Sequence, residues 1–287
     1  FARILSADEI SDIIGMQPRC GGIHYLRGGW LDPRAVCRSL LAHPLITLRE
    51  QCGPVQLRQL SNDAWQASNT SGEVLCEGPL AVLATAQAAL TEPGLEWLPL
   101  TVIRGQTPHL PTSEMLSQLP ITLRDQGYLP PARQGIHCTG ASFGPGDAQT
   151  DERAAEPGHN IGMLQQALPH LALTLGDNPW QGHVALRCNS NDYLPIAGLV
   201  PALDIFNERY ERIRHDRKQI IDAPAPVRPG LAVLTSLGSR GLSAAPLAAE
   251  LLVDQLLGTP PPAPRYLQRA IAPARFAERA LKRGNPL

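Results

Sequence analysis

The sequence has no apolar run long enough to cross a bilayer. Its longest, Leu80 to Leu90, is interrupted by Thr85 and Gln87 and falls short of the roughly 20 residues a spanning helix needs. It has no C-x-x-C pair either. Cys20, Cys37, Cys52, Cys76, Cys138 and Cys188 stand far apart and none has zinc-like partners, so no metal site is expected. They read as reduced core thiols of a cytoplasmic protein. There is no excess of charge of one sign: 25 basic against 26 acidic residues leave a net charge of -1, so no overall positive field marks a nucleic-acid binder. There is no internal repeat, and the dinucleotide fingerprint G-x-G-x-x-G occurs nowhere.

What remains is a folded-protein composition, 43% hydrophobic and 18% charged over 287 residues. That is enough for one large domain or two interlocked ones with a substantial core. Charge is unevenly placed. Between Arg265 and Arg283, six basic residues (Arg265, Arg269, Arg275, Arg279, Lys282, Arg283) face one acid, Glu278. A second cluster holds Arg209, Arg212, Arg214, Arg217 and Lys218, partly offset by Glu208, Glu211 and Asp216. On charge alone these are solvated helix faces or patches that meet a polyanion, and both readings stand. The first residue is Phe1, which opens into an amphipathic stretch, "ARILSADEISDIIG"; the expectation is a chain trimmed at this end.

Asp32-Pro33 is an N-cap and first-turn pair that starts a helix at about 33–43. Short strands are expected at Val55–Gln59, Ala64–Ala67 and Leu80–Ala84, as a small antiparallel meander. Further strands are expected at Leu100–Arg104, near Tyr128, at Ile136–Phe143 and in "HVALRC". "NIGMLQQALPHL" is a helix with Met163, Leu164, Ala167 and Leu168 as its buried stripe. "TPPPAP" is a stiff linker to a basic tail. The pattern is α/β mixed with an antiparallel block, which suggests a nucleotide-type domain interrupted by a sheet-rich one.

Two stretches carry chemistry. In "LAVLTSLGSRGLSAAPLAAELL" a strand runs through a glycine turn into a helix, with Ser243 as the expected N-cap and Gly258 as the C-cap. The helix start offers free N–H groups and the positive dipole end to an anionic or electron-rich group; an ordinary tight turn is the alternative. In "ALRCNSNDYLPIAG" Arg187 sits at the end of a strand in an apolar setting. Such a guanidinium needs a carboxylate, from a ligand or from an internal ion pair.

"GGIHYLRGGWLDP", "VIRGQ", "GYLPPARQGIHCTGASFGPGD", "LRCNSNDYLPIAG" and "TSLGSRGLSAAPLAAELL" occur in that order. Together they resemble the D-amino-acid-oxidase-like family of FAD-dependent amine oxidoreductases, over about Gly21 to Gly284. "RGQ", "GASF" and "LGSRGL-x-x-APLAAELL" resemble most the oxidoreductase half of its bifunctional tRNA-modifying members. The resemblance implies an FAD-binding fold with an inserted antiparallel-sheet substrate domain, lacking here the N-terminal βαβ unit with its pyrophosphate cradle. It implies divisions at 1–100 (remainder of the FAD domain), 101–187 (substrate domain), 188–258 (return to the FAD domain) and 259–287 (basic tail). As given, the chain is expected to bind FAD poorly.

The family's flavin contacts fall on Gly238, Ser239, Arg240, Gly241 and Leu242, on Ala84-Thr85, and on the backbone at Val55. The last two also read as plain core strand. Arg187 matches the arginine that clamps a glycine carboxylate, and Tyr128 and Arg104 fall near the same group. The implied partner is tRNA, contacted by Arg275, Arg279, Lys282 and Arg283, with a methyltransferase half upstream. Free glycine or sarcosine oxidation, and a flavin-free RNA- or partner-binding remnant, are the alternative readings.

Overall fold

A computed structural model describes residues 1–171, 181–219 and 223–287. The strands are β1 (Ala2–Leu5), β2 (Gly22–Tyr25), β3 (Val55–Gln59), β4 (Trp65–Asn69), β5 (Val74–Gly78), β6 (Ala81–Leu83) and β7 (Leu100–Pro111). Beyond these come β8 (Leu123–Arg124), β9 (Tyr128–Leu129), β10 (Ile136–Cys138), β11 (Gly144–Pro145), β12 (Gln181–Ser190), β13 (Ile196–Pro201) and β14 (Val227–Thr235). The described helices are α1 (Ala7–Ile14), α2 (Pro33–Leu41), α3 (Glu114–Ser117), α4 (Ala155–Ala167), α5 (Leu203–Arg209), α6 (Gly241–Leu257), α7 (Arg265–Ile271) and α8 (Ala274–Lys282). Among the described residues no helix is long and apolar enough to cross a membrane.

The chain divides into two compact units, one of residues 1–46 and 103–186, the other of 47–102 and 187–287. The first 46 residues therefore group with the sheet-rich segment, where the sequence suggested the cofactor domain. The cause is apolar. Ser6 and Glu9 form a reciprocal capping box that starts α1. Its residues Ile10, Ile13 and Ile14 then join Met16 in a core with Leu110, Leu116, Leu129, Ile161, Leu164 and Leu168. Ala2–Leu5, the start of the amphipathic stretch, is a strand paired with β2.

In this unit β7 is the spine, paired with β10, β11 and β12. It continues through Gly105, where the sequence placed its end, because pairing on both sides supplies ladder bonds that local propensity does not foresee. The expected helix over "NIGMLQQALPHL" begins earlier, at Ala155, and buries Pro157, Asn160, Ile161 and Leu164.

The second unit holds the expected meander, β3-β4-β5, but Val74–Gly78 supplies its third strand. The segment expected there, now β6, pairs parallel with β14, with Leu231 opposite Ala81 and Val233 opposite Leu83. β13 flanks β14 antiparallel on its other side. Trp65, Leu95, Leu98, Ile196, Val200, Leu231, Val233 and Phe276 form the core. Phe276 belongs to the segment expected as a tail beyond a stiff linker. That segment instead folds as α7 and α8, with Ala277 and Leu281 buried against Phe206, Tyr210 and Ile213. The cysteines carry no disulfide, but only Cys188 is buried; Cys20, Cys37, Cys76 and Cys138 are exposed and Cys52 half-buried, so the reading of core thiols holds for one of them.

Gly230, just inside β14, has φ of +65° and a Cβ there would lie 2.2 Å from the Pro79 carbonyl oxygen. Next to it, Trp65 Nε1 donates to the Pro229 carbonyl at 2.9 Å. Gly230→Ala combines a strained backbone with a main-chain clash and is expected to cost about 2 kcal/mol in urea unfolding. An unchanged midpoint would mean the β5–β6 turn yields freely.

Candidate active site

In the second unit, strand β6 ends at Leu83 and leads into exposed Ala84 and Thr85. Its parallel neighbour β14 ends at Thr235, so both chains leave the sheet at the same, carboxyl, end. That is where open α/β sheets hold ligands. Thr235 knits this end: its Oγ1 donates to the Ala86 carbonyl at 3.1 Å and lies 3.8 Å from Cys188 Sγ. Burial pushes the Cys188 thiol up from its ordinary value, against weaker opposing hydrogen bonds.

The chain then turns through Ser236 (φ +59°) and Gly238 (φ +55°) into a short 3-10 turn and α6. Glycine suits position 238, where φ is positive and a Cβ would come within 2.3 Å of the Asn189 side-chain oxygen. The helix begins at Gly241, two residues before the expected N-cap. Ser243 lies inside it and donates to the Arg240 carbonyl, and no side chain caps the helix. No acidic residue occupies its first turn. Gly258 closes it in the left-handed conformation, as expected. The positive end of α6 is thus uncompensated among the described residues, with Ser239, Arg240 and Leu242 exposed around it. An electron-rich group that gains negative charge fits there.

Strand β12 brings Arg187 to this end, one residue before Cys188. Arg187 is half-buried and makes no ion pair with a described residue; the internal-ion-pair reading thus has no carboxylate among them. Ala84, Thr85 and Gly238–Leu242 share this carboxyl end, whereas Val55 lies in the meander, half-exposed and paired with Asn69.

Beyond Ser190 the strand bends at Asp192. Its carboxylate accepts from Ser190 Oγ at 2.8 Å, from Arg275 Nε and Nη2 at 3.0 Å each and from Arg279 Nη1 at 2.6 Å. Burial works to raise this carboxyl, but the hydrogen bonds from Arg275, Arg279 and Ser190 outweigh it and hold it far below the usual range. The Leu194 carbonyl closes the turn, accepting from Ser190 Oγ, Arg275 Nη2 and Ser236 Oγ at 2.8, 3.2 and 3.3 Å. Asn189 and Asp192 were given no role from sequence, although the polar run "NSND" after a strand signals a turn.

Two expected residues have other tasks. Arg275 is 6% exposed and bound to Asp192, so it is unavailable to a phosphate. Arg104, in the first unit, is 1% exposed. Its Nε and Nη2 donate to the Gln149 and Asp151 carbonyls and Nη2 also to Gln106, while Nη1 pairs with Glu156. It organises the 142–156 segment, and all three nitrogens are engaged. Tyr128 is half-buried in β9, also in the first unit. Of the remaining basic residues, Lys282 pairs with Glu278, Arg279 is half-exposed and Arg283 exposed. His137 is fully buried between the Pro130 carbonyl and Thr112 Oγ1, a core histidine.

A family model described as FAD dependent oxidoreductase matches residues 1–255. The tRNA 5-methylaminomethyl-2-thiouridine biosynthesis bifunctional proteins of Pseudomonas entomophila and Stutzerimonas stutzeri are 37% and 39% identical, each over 98% of this chain. The chain spans 43% of the length of these relatives. Among solved structures, iminodiacetate oxidase from Chelativorans sp. BNC1 superposes with a TM-score of 0.71 at 20% identity, covering 92% of this chain and 65% of its own. Glycine oxidase from Geobacillus kaustophilus gives 0.70 at 16% identity with the same coverages. At these identities the likeness is one of fold.

The Asp192 cluster has a pH consequence. A carboxyl depressed in the folded chain contributes stability that is fully present above the unfolded value of about 3.9 and is lost as pH falls below it. Asp192→Asn strips two guanidinium groups of their counter-charge, one of them buried. It is expected to cost about 3 kcal/mol at pH 7, with the gap to the parent chain narrowing between about pH 5 and pH 2 in urea unfolding. A gap constant over that range would assign the loss to packing.

Proposed function

The chain belongs to the FAD-dependent oxidoreductase family, and on that premise we propose that it oxidises carboxymethylaminomethyl-uridine at the tRNA wobble position. The products are glyoxylate and aminomethyl-uridine. The observation that carries this reading is Arg187, half-buried beside the cofactor end and without a carboxylate among the described residues. The substrate group is an N-substituted glycine, which brings a carboxylate next to a secondary amine. The name of relatives 36–39% identical over nearly the whole chain, tRNA 5-methylaminomethyl-2-thiouridine biosynthesis bifunctional protein, supports the tRNA as its carrier.

Bound FAD supplies the hydride acceptor for the carbon–nitrogen bond. The uncapped start of α6, Gly238 to Leu242, would hold its redox end, with Ala84 and Thr85 along it and the Val55 backbone toward the adenine. Arg187 binds the carboxylate in bidentate fashion and so fixes the α-carbon, the largest contribution a protein makes to such a reaction. The amine must arrive unprotonated, after which no general base is needed. Water adds to the resulting imine and expels glyoxylate.

Arg279, Lys282 and Arg283 are the proposed tRNA contacts, without Arg275. The exposed Arg209, Arg212 and Arg214 extend the basic surface. The full-length protein is proposed to be cytoplasmic and to carry a methyltransferase half, as "bifunctional" in the relatives' name suggests. Oxidation of a free small amine is the second reading, favoured by the fold shared with glycine and iminodiacetate oxidases.

Full-length protein incubated with carboxymethylaminomethyl-containing tRNA, and separately with glycine, separates the two. Glyoxylate is expected from the tRNA; glyoxylate from glycine alone overturns the proposal. Arg187→Ala is expected to raise KM about 100-fold, the loss of a charge-assisted bidentate contact, with flavin absorbance retained. Loss of flavin would make this arginine structural.

A further inference from the structure

Beside the Asp192 turn, on the face formed by α8, lies a cavity of about 460 Å³. It falls within the size range of small-ligand sites. Its wall combines Trp97, Phe276, Asn191, Arg279 and Arg283 with the Asp192 carboxylate. Nothing in the amine oxidation described above uses it.

Each side chain limits what can enter. Trp97 is half-buried and anchored by its own Nε1, which donates to the Gly94 carbonyl at 2.8 Å, so the indole is a fixed plane and its polar edge is already satisfied. Phe276 is mostly covered: the Arg275 guanidinium stands 4.0 Å and that of Arg279 5.4 Å from its ring centre. Arg279 is therefore held as a second flat surface, fixed at one end by Asp192 and 45% exposed. Asp192 itself is saturated by Ser190, Arg275 and Arg279, so it does not compete for an entering donor. Arg283 is exposed with no ion pair among the described residues. Asn191 is exposed and offers both a donor and an acceptor.

Flat surfaces, an amide that reads an edge and a free cation suit a planar heterocycle bearing an anion. Bases splayed from single-stranded RNA stack on aromatic rings and guanidinium planes in this way. We propose that this cavity holds one unstacked nucleotide of the substrate tRNA, its base on Trp97 and Arg279 and a flanking phosphate on Arg283. The proposal rests on the tRNA reading above and adds the place where the RNA is gripped.

The test uses the full-length holoenzyme and an unmodified tRNA transcript, with a nucleoside monophosphate and a fully duplex RNA as further arms. Indole fluorescence should be quenched by the transcript, and that component should vanish in Trp97→Phe. The duplex should leave it unquenched, and a mononucleotide should quench only at far higher concentration. Asn191→Ala and Arg283→Ala, both at exposed positions, should each raise the tRNA Kd several-fold. Arg283→Ala should also lower the slope of log affinity against log salt by about one. Wild-type binding to tRNA with no Trp97-dependent quenching and unchanged Kd in both variants overturns the cavity alone. No tRNA binding by the wild type, with glycine still oxidised, overturns the tRNA reading as well. Equal quenching by mononucleotide and tRNA makes the cavity a free-nucleotide site and overturns the RNA assignment.

Discussion

Asp192 is a carboxylate 18% exposed, and most of the candidate site hangs on how its charge is met. Removing an ionised carboxyl from water is unfavourable unless cations and donors surround it. The α8 helix supplies two guanidinium groups one turn apart, Arg275 and Arg279, and β12 supplies Ser190. Because Arg275 also donates to the Leu194 carbonyl, together with Ser236, the ion cluster draws the end of β12 and the end of β14 onto one point. The residues those strands carry, Arg187 and the Gly238 turn, are placed by that convergence. A helix that reads as a charged appendage is in fact the clamp of its unit.

The same helix explains why arginines of one cluster differ in task. Positions 275, 279 and 283 are spaced by four, so they follow one another along a slowly turning stripe. Phe276, Ala277 and Leu281 press one side of α8 into the core. Arg275 is consequently buried, Arg279 shared between Asp192 and solvent, and Arg283 left to the surface. Net charge near zero for the chain thus coexists with a locally positive face, and the face is smaller than a count of basic residues implies.

At the cofactor end the physical requirement is a start of helix with nothing negative of its own nearby. The α6 terminus meets it through what it lacks, a capping side chain or an acid in its first turn. Gly238 is favoured by its left-handed backbone and by the close approach of the Asn189 side chain. Pro246, in the second turn of α6, removes one N–H without ending the helix.

Much was legible in the sequence because it depends on near neighbours. Asp32 caps α2 by accepting from the Arg34 amide, and Gly258 closes α6. The strand–turn–helix at 231–257 and the order of five motifs placed the chain in its family, since such turns need particular residues at fixed local spacing. What the sequence left open depends on distant partners. Whether β6 joins β5 or β14, how far β7 runs, and which unit claims residues 1–46 follow from strand pairing and apolar burial across scores of residues. The fates of Arg104 and Arg275 follow the same rule: an arginine reads identically whether it reaches a ligand or a buried carboxylate. Local chemistry determined the elements and the kind of site; only tertiary packing decided which charges were satisfied inside and which remained available outside.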